Sequence, residues 1–513
     1  MAFAKALGAT LVGLEAHEVL VEVDIYKRAV QPTVNIVGLP GTSVNESIYR
    51  VKSAISNSNF TFPSGRITIN LAPAYIKKEG PLLDLTIAVA ILKSQNIIRS
   101  NIENYLILGE LSLNGEIRKV RGILPIVYKM KSKFINDNTA VIVPKGNGNE
   151  AAAVDKVRVF EVSTLSQLVS FLNGNLKLNS VDFTNAFEDD FSYETDFSDV
   201  KGQHAAKRAM EIAAAGSHNL IMNGTPGSGK SMLAKRFHTI LPPMSEEESL
   251  ETSMIYSLSG LLEEKQPLLH KRPVRFVHHT ASVVSIIGGG SNAKPGEITL
   301  SHNGVLIFDE IVEFPRNVLE SLRQPMEDKK ITISRSKYSV TYPANFILLG
   351  TRNPCPCGWY GDEEHQCTCS INDIIKYNKR LSGPIMDRID IYIDVPRLKS
   401  QEFIKDYKEE SSESIRQRVI AAREIQKKRF KNLPIHSNSE MNQKQLKEFC
   451  SLDYEAEKVF EKGINNLKLT GRGMSSTLKI SRTIADLELS NKIKPKHILE
   501  AFQYRYKDLK LQY

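Results

Sequence analysis

Gly224-Thr225-Pro226-Gly227-Ser228-Gly229-Lys230-Ser231 matches the pattern G-x-x-x-x-G-K-[ST] without a mismatch. The apolar run Asn219-Leu220-Ile221-Met222 before it reads as a strand, and the segment from Ser231 to Phe237 after it reads as a helix. Glycines at these spacings let backbone N–H groups curl around a phosphate, and the start of a helix adds partial positive charge there. Lys230 is then expected to reach the β- and γ-phosphates, with the Ser231 hydroxyl on Mg²⁺. A chance glycine-rich turn would not bring both flanking elements with it. The segment therefore predicts an α/β fold that binds a nucleoside triphosphate, with ATP and Mg²⁺ as the expected cofactors.

Downstream, Val305-Leu306-Ile307-Phe308-Asp309-Glu310 has the unbroken apolar character of a buried parallel strand. The C-terminal end of such a strand is where an α/β sheet presents ligand-binding groups. Asp309 is expected to hold Mg²⁺ and Glu310 to polarise the attacking water. Phosphoryl transfer is mostly positioning and charge neutralisation, so further polar groups should converge on the γ-phosphate. The candidates are Asn353 after the strand Phe346-Ile347-Leu348-Leu349-Gly350, Arg388 at a helix end, and Arg472 at the start of a later helix. Arg388 suits an arginine finger offered to a neighbouring subunit. Taken singly, each arginine also reads as a surface residue, and their order after the two motifs is what raises them.

At 513 residues the chain predicts about three domains. The stretch from Asp182 to Asp199 carries seven acidic residues and no Lys or Arg, which reads as an exposed linker at about 176–198. Before it, residues 1–175 alternate strands and helices. After it, 199–396 alternate them around the glycine-rich loop, and 397–513 turn helical and charged. The net charge of +9 permits an anionic partner such as nucleic acid, and equally an ordinary basic surface. The apolar N-terminal stretch runs straight into Glu15, Glu18, Glu22 and Asp24, without a cleavage site or membrane-spanning length. It reads as the first strands of a cytoplasmic domain with no membrane partner.

Four of the five cysteines fall within fifteen residues, as Cys355-Pro356-Cys357 and Cys367-Thr368-Cys369. Outside an oxidising compartment such a group points to metal, and two short C-x-C turns can surround one tetrahedral Zn²⁺. The alternative is a cysteine-rich surface loop at 355–369 with redox sensitivity.

The chain resembles the ComM/YifB-type Mg-chelatase-like AAA+ ATPases from end to end. The matching stretches are Val37-Gly38-Leu39-Pro40, Ile69-Asn70-Leu71-Ala72-Pro73, His302-Asn303-Gly304-Val305, Leu322-Arg323-Gln324-Pro325, Asn353-Pro354-Cys355-Pro356-Cys357-Gly358 and Arg482-Thr483-Ile484-Ala485-Asp486-Leu487. The resemblance implies sensor 1 at Asn353, an arginine finger at Arg388, sensor 2 at Arg472 on a C-terminal helical lid, and Gln203 beside the adenine pocket. Thr351-Arg352 departs from the small or apolar residues usual before the sensor asparagine. The family resemblance also makes residues 1–175 similar to a Lon-protease domain, a fold shared with a ribosomal-protein module. That protease needs a serine and a lysine, and Leu82 and Leu124 stand at the corresponding positions here. The domain is thus expected to be a scaffold or a DNA-binding surface rather than a protease.

Two basic loops remain, Lys294 in Gly288–Pro295 and the alternating segment Lys329–Tyr342 around Arg335-Ser336-Lys337. In minichromosome-maintenance helicases, which resemble this class, a hairpin at the second place lines the pore and grips DNA. Either loop alone also reads as a solvated turn. The expectation is a homo-hexameric motor on branched or single-stranded DNA, driving branch migration in recombination or natural transformation. A protein-remodelling ATPase is the alternative. A magnesium-chelatase motor subunit fits less well, because such subunits lack both the Lon-like domain and the four cysteines.

Overall fold

Strict alternation along Glu15–Tyr26 puts Val19, Val21, Val23 and Ile25 on one face, all buried. That strand pairs antiparallel with Ala2–Val12, Val12 opposite Glu15, so Gly13-Leu14 close the hairpin. The computed structural model describes residues 2–27, 32–136, 139–184, 193–290, 293–335, 338–397 and 409–505. They divide into two units: Met1–Asp189 with Glu246–Leu269, and Asp190–Ser245 with His270–Tyr513.

The first unit is built on a seven-stranded mixed sheet, ordered Thr33–Val37, Arg66–Ala72, Glu15–Tyr26, Ala2–Val12, Tyr105–Ile107, Ala140–Pro144, Arg158–Val162. The helix Asp84–Ser94 is apolar nearly all round and is accordingly buried nearly all round. Leu82 and Leu124 fall in one apolar cluster with Leu106, Ile123 and Val141. Helix Glu246–Ser259 belongs to this unit although it lies between the two nucleotide motifs in sequence. Its Met254 fills that same cluster, and the Gly122 amide donates to the Ser257 carbonyl at 3.2 Å.

In the second unit five parallel strands run in the order Val274–Val277, Val305–Phe308, Ile347–Arg352, Leu220–Asn223, Ile391–Asp394. The helices His204–Gly216, Ser412–Arg429 and Gly471–Leu487 share one core with these strands, through Met210, Ile415, Val419, Ile480 and Ile484. The C-terminal helical region is thus fused to the sheet rather than standing apart. Of the acidic stretch, Asp196 caps a short 3-10 turn and Phe197 is fully buried in this core; 185–192 lie outside the described residues. Among the described residues no helix is long and apolar enough to cross a membrane.

Candidate nucleotide site and the loops around it

The register of the sheet assembles the site. Met222 lies opposite Thr351 and Phe308 opposite Gly350, so Gly224, Asp309 and Asn353 leave the sheet at one edge. The strand order puts the 347–352 strand between the two motif strands, the switch-point geometry at which α/β sheets hold ligands. Gly227 and Gly229 have φ of 76° and 93°, and nothing lies within 4 Å of where a Cβ would stand on either. The loop therefore has free space at both glycines and takes a backbone conformation that glycine adopts without strain. Lys230 begins the helix Lys230–Arg236, and its Nζ donates to the Gly224 and Thr225 carbonyls at 2.6 and 2.8 Å. Burial pushes its ammonium down to about 8, with Asp309 and Glu310 holding it partly up.

The Ser231 hydroxyl donates to both Asp309 carboxylate oxygens at 3.1 Å. A hydroxyl and a carboxylate so close are hard oxygen donors that suit Mg²⁺. Thr351, the departure noted in the sequence, ties the carboxylates down: its hydroxyl donates to Asp309 Oδ1 at 2.5 Å and accepts from the Glu310 amide at 2.9 Å. Glu310 has φ 54°, a left-handed conformation that a non-glycine residue holds only under constraint. The Thr351 bond is such a constraint. Sequence reasoning gave Thr351 no role, because its partners depend on strand register.

Asn353 follows this strand directly. Gln203, also left-handed at φ 55°, donates through Nε2 to the Ser228 carbonyl at 3.2 Å and to the Pro396 carbonyl at 2.6 Å. It braces the glycine-rich loop itself. Arg388 and Arg472 are brought together by a residue that carried no sequence signal: Glu327 accepts from Arg388 Nη2 through one oxygen and from Arg472 Nη2 at 2.7 Å through the other. The two cations hold the Glu327 carboxyl below its ordinary range, Arg388 contributing most.

The two basic loops stand on one body. Gly288–Gly289 pairs antiparallel with Lys294–Pro295, and Lys330–Arg335 with Tyr338–Pro343. The buried Tyr342 hydroxyl donates to the Ala293 carbonyl at 2.9 Å, pinning one hairpin to the other. Lys294, Lys330, Thr332, Ser334 and Thr341 are exposed, while Ile331 and Ile333 face inward. Ser336, Lys337 and the Arg335 side chain lie outside the described residues.

The four clustered cysteines do converge. Their sulfurs all lie within 4.8 Å of one another, with 3.3 Å between Cys355 and Cys357 and 3.7 Å between Cys355 and Cys367. The fifth, Cys450, is buried in a separate apolar cluster of the C-terminal helices.

Three family profiles match the chain: "Magnesium chelatase, subunit ChlI" over residues 196–403, "Subunit ChlI of Mg-chelatase" over 21–147 and "Magnesium chelatase, subunit ChlI C-terminal" over 409–505. The chain is 39% identical over 499 residues to protein YifB of Salmonella typhimurium, covering 96% of this chain and 95% of that one. It is likewise 39% identical over 515 residues to competence protein ComM of Haemophilus influenzae, covering 98% of each.

Proposed function

This chain belongs to the ComM/YifB family of magnesium-chelatase-like proteins, and we propose that it is an Mg²⁺-dependent AAA+ ATPase working as a homo-hexameric motor on DNA in the cytoplasm. The observation that carries the ATPase reading is the convergence of Lys230, Ser231, Asp309 and Thr351 at one sheet edge beside the open glycine loop. Lys230 and the loop amides bind the β- and γ-phosphates. Ser231 and Asp309 hold Mg²⁺, which supplies neutralisation of the phosphate charge. Glu310 orients the attacking water and accepts its proton, and Asn353 hydrogen-bonds that water or the γ-phosphate. Arg388 is the finger serving the nucleotide of a neighbouring copy. Arg472, held on the same Glu327, acts as the second sensor.

The DNA reading rests on the exposed lysines and hydroxyls of the paired hairpins at 288–295 and 330–343, since cations beside hydroxyl donors contact a phosphate backbone without reading sequence. That one relative is named a competence protein supports branch migration during uptake and recombination of transforming DNA.

Two variants assayed in parallel test the assignment. Arg335→Ala/Lys337→Ala should leave basal ATP turnover near wild type, weaken DNA binding and lower its salt slope by about two. Arg388→Ala should spare DNA binding and slow hydrolysis by roughly a thousandfold or more. Wild-type Holliday-junction migration by the hairpin variant would remove the pore-loop role. If DNA changed neither turnover nor any binding signal, a protein-remodelling ATPase would replace the DNA motor.

A further inference from the structure

We propose that Cys355, Cys357, Cys367 and Cys369 hold one Zn²⁺, and that the resulting knuckle fixes the position of the glycine-rich loop by pressing on Pro226. The second half rests on the nucleotide reading given above.

The donor set and its spacing carry the first half. Four thiolates at about 2.3 Å from Zn²⁺ in a tetrahedron stand about 3.8 Å apart. The sulfurs of Cys355, Cys357 and Cys367 are already 3.3, 3.7 and 3.6 Å apart, and that of Cys369 is within 4.8 Å of each. All four are free thiols. Two backbone amides are aimed at sulfur: that of Cys357 at Cys369 Sγ and that of Tyr360 at Cys355 Sγ, both at 3.3 Å. Such N–H groups stabilise thiolate charge. Binding would replace the four thiol protons, which leave to solvent, and give a centre of net charge −2. Oxygen and nitrogen ligands are not needed, so a thiolate-preferring ion is selected.

The second half follows from Gly358. Its φ is 88°, and a Cβ there would stand 2.7 and 2.8 Å from Pro226 Cγ and Cδ. The knuckle therefore sits in van der Waals contact with the loop that cradles phosphate, at a point where only glycine fits. Cys355 also lies three residues after Arg352, at the end of the strand whose Thr351 orients Asp309 and Glu310. Metal in the knuckle fixes both neighbours of the nucleotide at once. Between the two cysteine pairs in sequence, Trp359 stacks on His365 with ring centroids 4.2 Å apart.

The test begins with elemental analysis of the full chain purified without added zinc. About one equivalent of zinc is expected. Less than roughly a tenth of an equivalent, or iron in its place, would overturn the site. Cys367→Ser/Cys369→Ser should abolish the metal, whereas Lys230→Ala should keep it while losing nucleotide, so failure of the nucleotide reading leaves the metal result standing. For the coupling, wild-type protein is stripped with a mercurial, then dithiothreitol and chelator, and its affinity for a fluorescent ATP analogue is measured before and after zinc is restored. Stripping should weaken binding about tenfold and zinc should recover it, the scale on which small misplacements in a site act. Gly358→Ala should keep zinc yet show a similar loss. Unchanged affinity in the stripped protein, or in a zinc-loaded Gly358→Ala, would overturn the coupling.

Discussion

Burial pushes the Lys230 ammonium down to about 8, although Asp309 and Glu310 both favour its charge. Polyphosphate favours the charged form far more strongly, so nucleotide binding near neutral pH and above should draw in a proton. The sign follows from the lowered value. Affinity should be full below about pH 8 and fall as pH rises through it, because the neutral amine must first be protonated. A fluorescent ATP titration from pH 7 to about pH 10 checks this, with Lys230→Arg, which stays charged, losing the slope; a flat wild-type profile would remove the argument. Lys230→Ala should lose nucleotide altogether. Glu310→Gln should bind ATP and cleave it roughly a hundredfold to a thousandfold more slowly, the usual scale for a proton-accepting group. Thr351→Val should slow turnover while Thr351→Ser keeps it, because only the hydroxyl reaches both Asp309 and the Glu310 amide. At this scale the motif residues were legible because phosphate chemistry dictates their identity and spacing. Thr351, Glu327 and the loop-bracing contact of Gln203 were not, since each depends on which strands and helices become neighbours.

The strands that carry the motifs could be read as elements from unbroken apolar runs, and the 330–343 hairpin from its alternation. Helix Glu246–Ser259 shows the limit of such reading. Periodicity reveals a helix but not the body on which it packs, and Leu250, Met254 and Leu268 join the apolar cluster of the first unit. The chain leaves the second unit at Ser245 and returns at His270, where the Met244 amide donates to the His270 carbonyl at 3.4 Å. The ends are thus close enough for a short link. A fragment of 190–513 should aggregate, because burying each of these side chains is worth roughly 1.5–3 kcal/mol that the fragment forfeits. Replacing Glu246–Leu269 by a few Gly and Ser residues should restore a soluble fragment that still binds ATP. Size-exclusion chromatography with a nucleotide titration decides it, and a well-behaved 190–513 fragment would show that the segment needs no partner core.

For the whole molecule, one sheet edge collects Ser231, Asp309 and Thr351, Glu327 gathers the two arginines, and the paired hairpins present lysines and hydroxyls. A motor that uses Arg388 on a neighbour's nucleotide must assemble to work. Glu310→Gln with ATP should therefore run as a hexamer, and Arg388→Ala should bind ATP yet remain slow at any concentration. The most direct test of an Mg²⁺-dependent motor on DNA is steady-state ATP turnover by the purified full chain, measured with Mg²⁺ and titrated with a four-way DNA junction. Turnover should vanish on chelating Mg²⁺, rise several-fold as junction is added, and fall at least about a hundredfold in Glu310→Gln. Turnover that stayed near the wild-type rate in Glu310→Gln, or that ignored the junction at every concentration, would contradict an Mg²⁺-dependent motor on DNA.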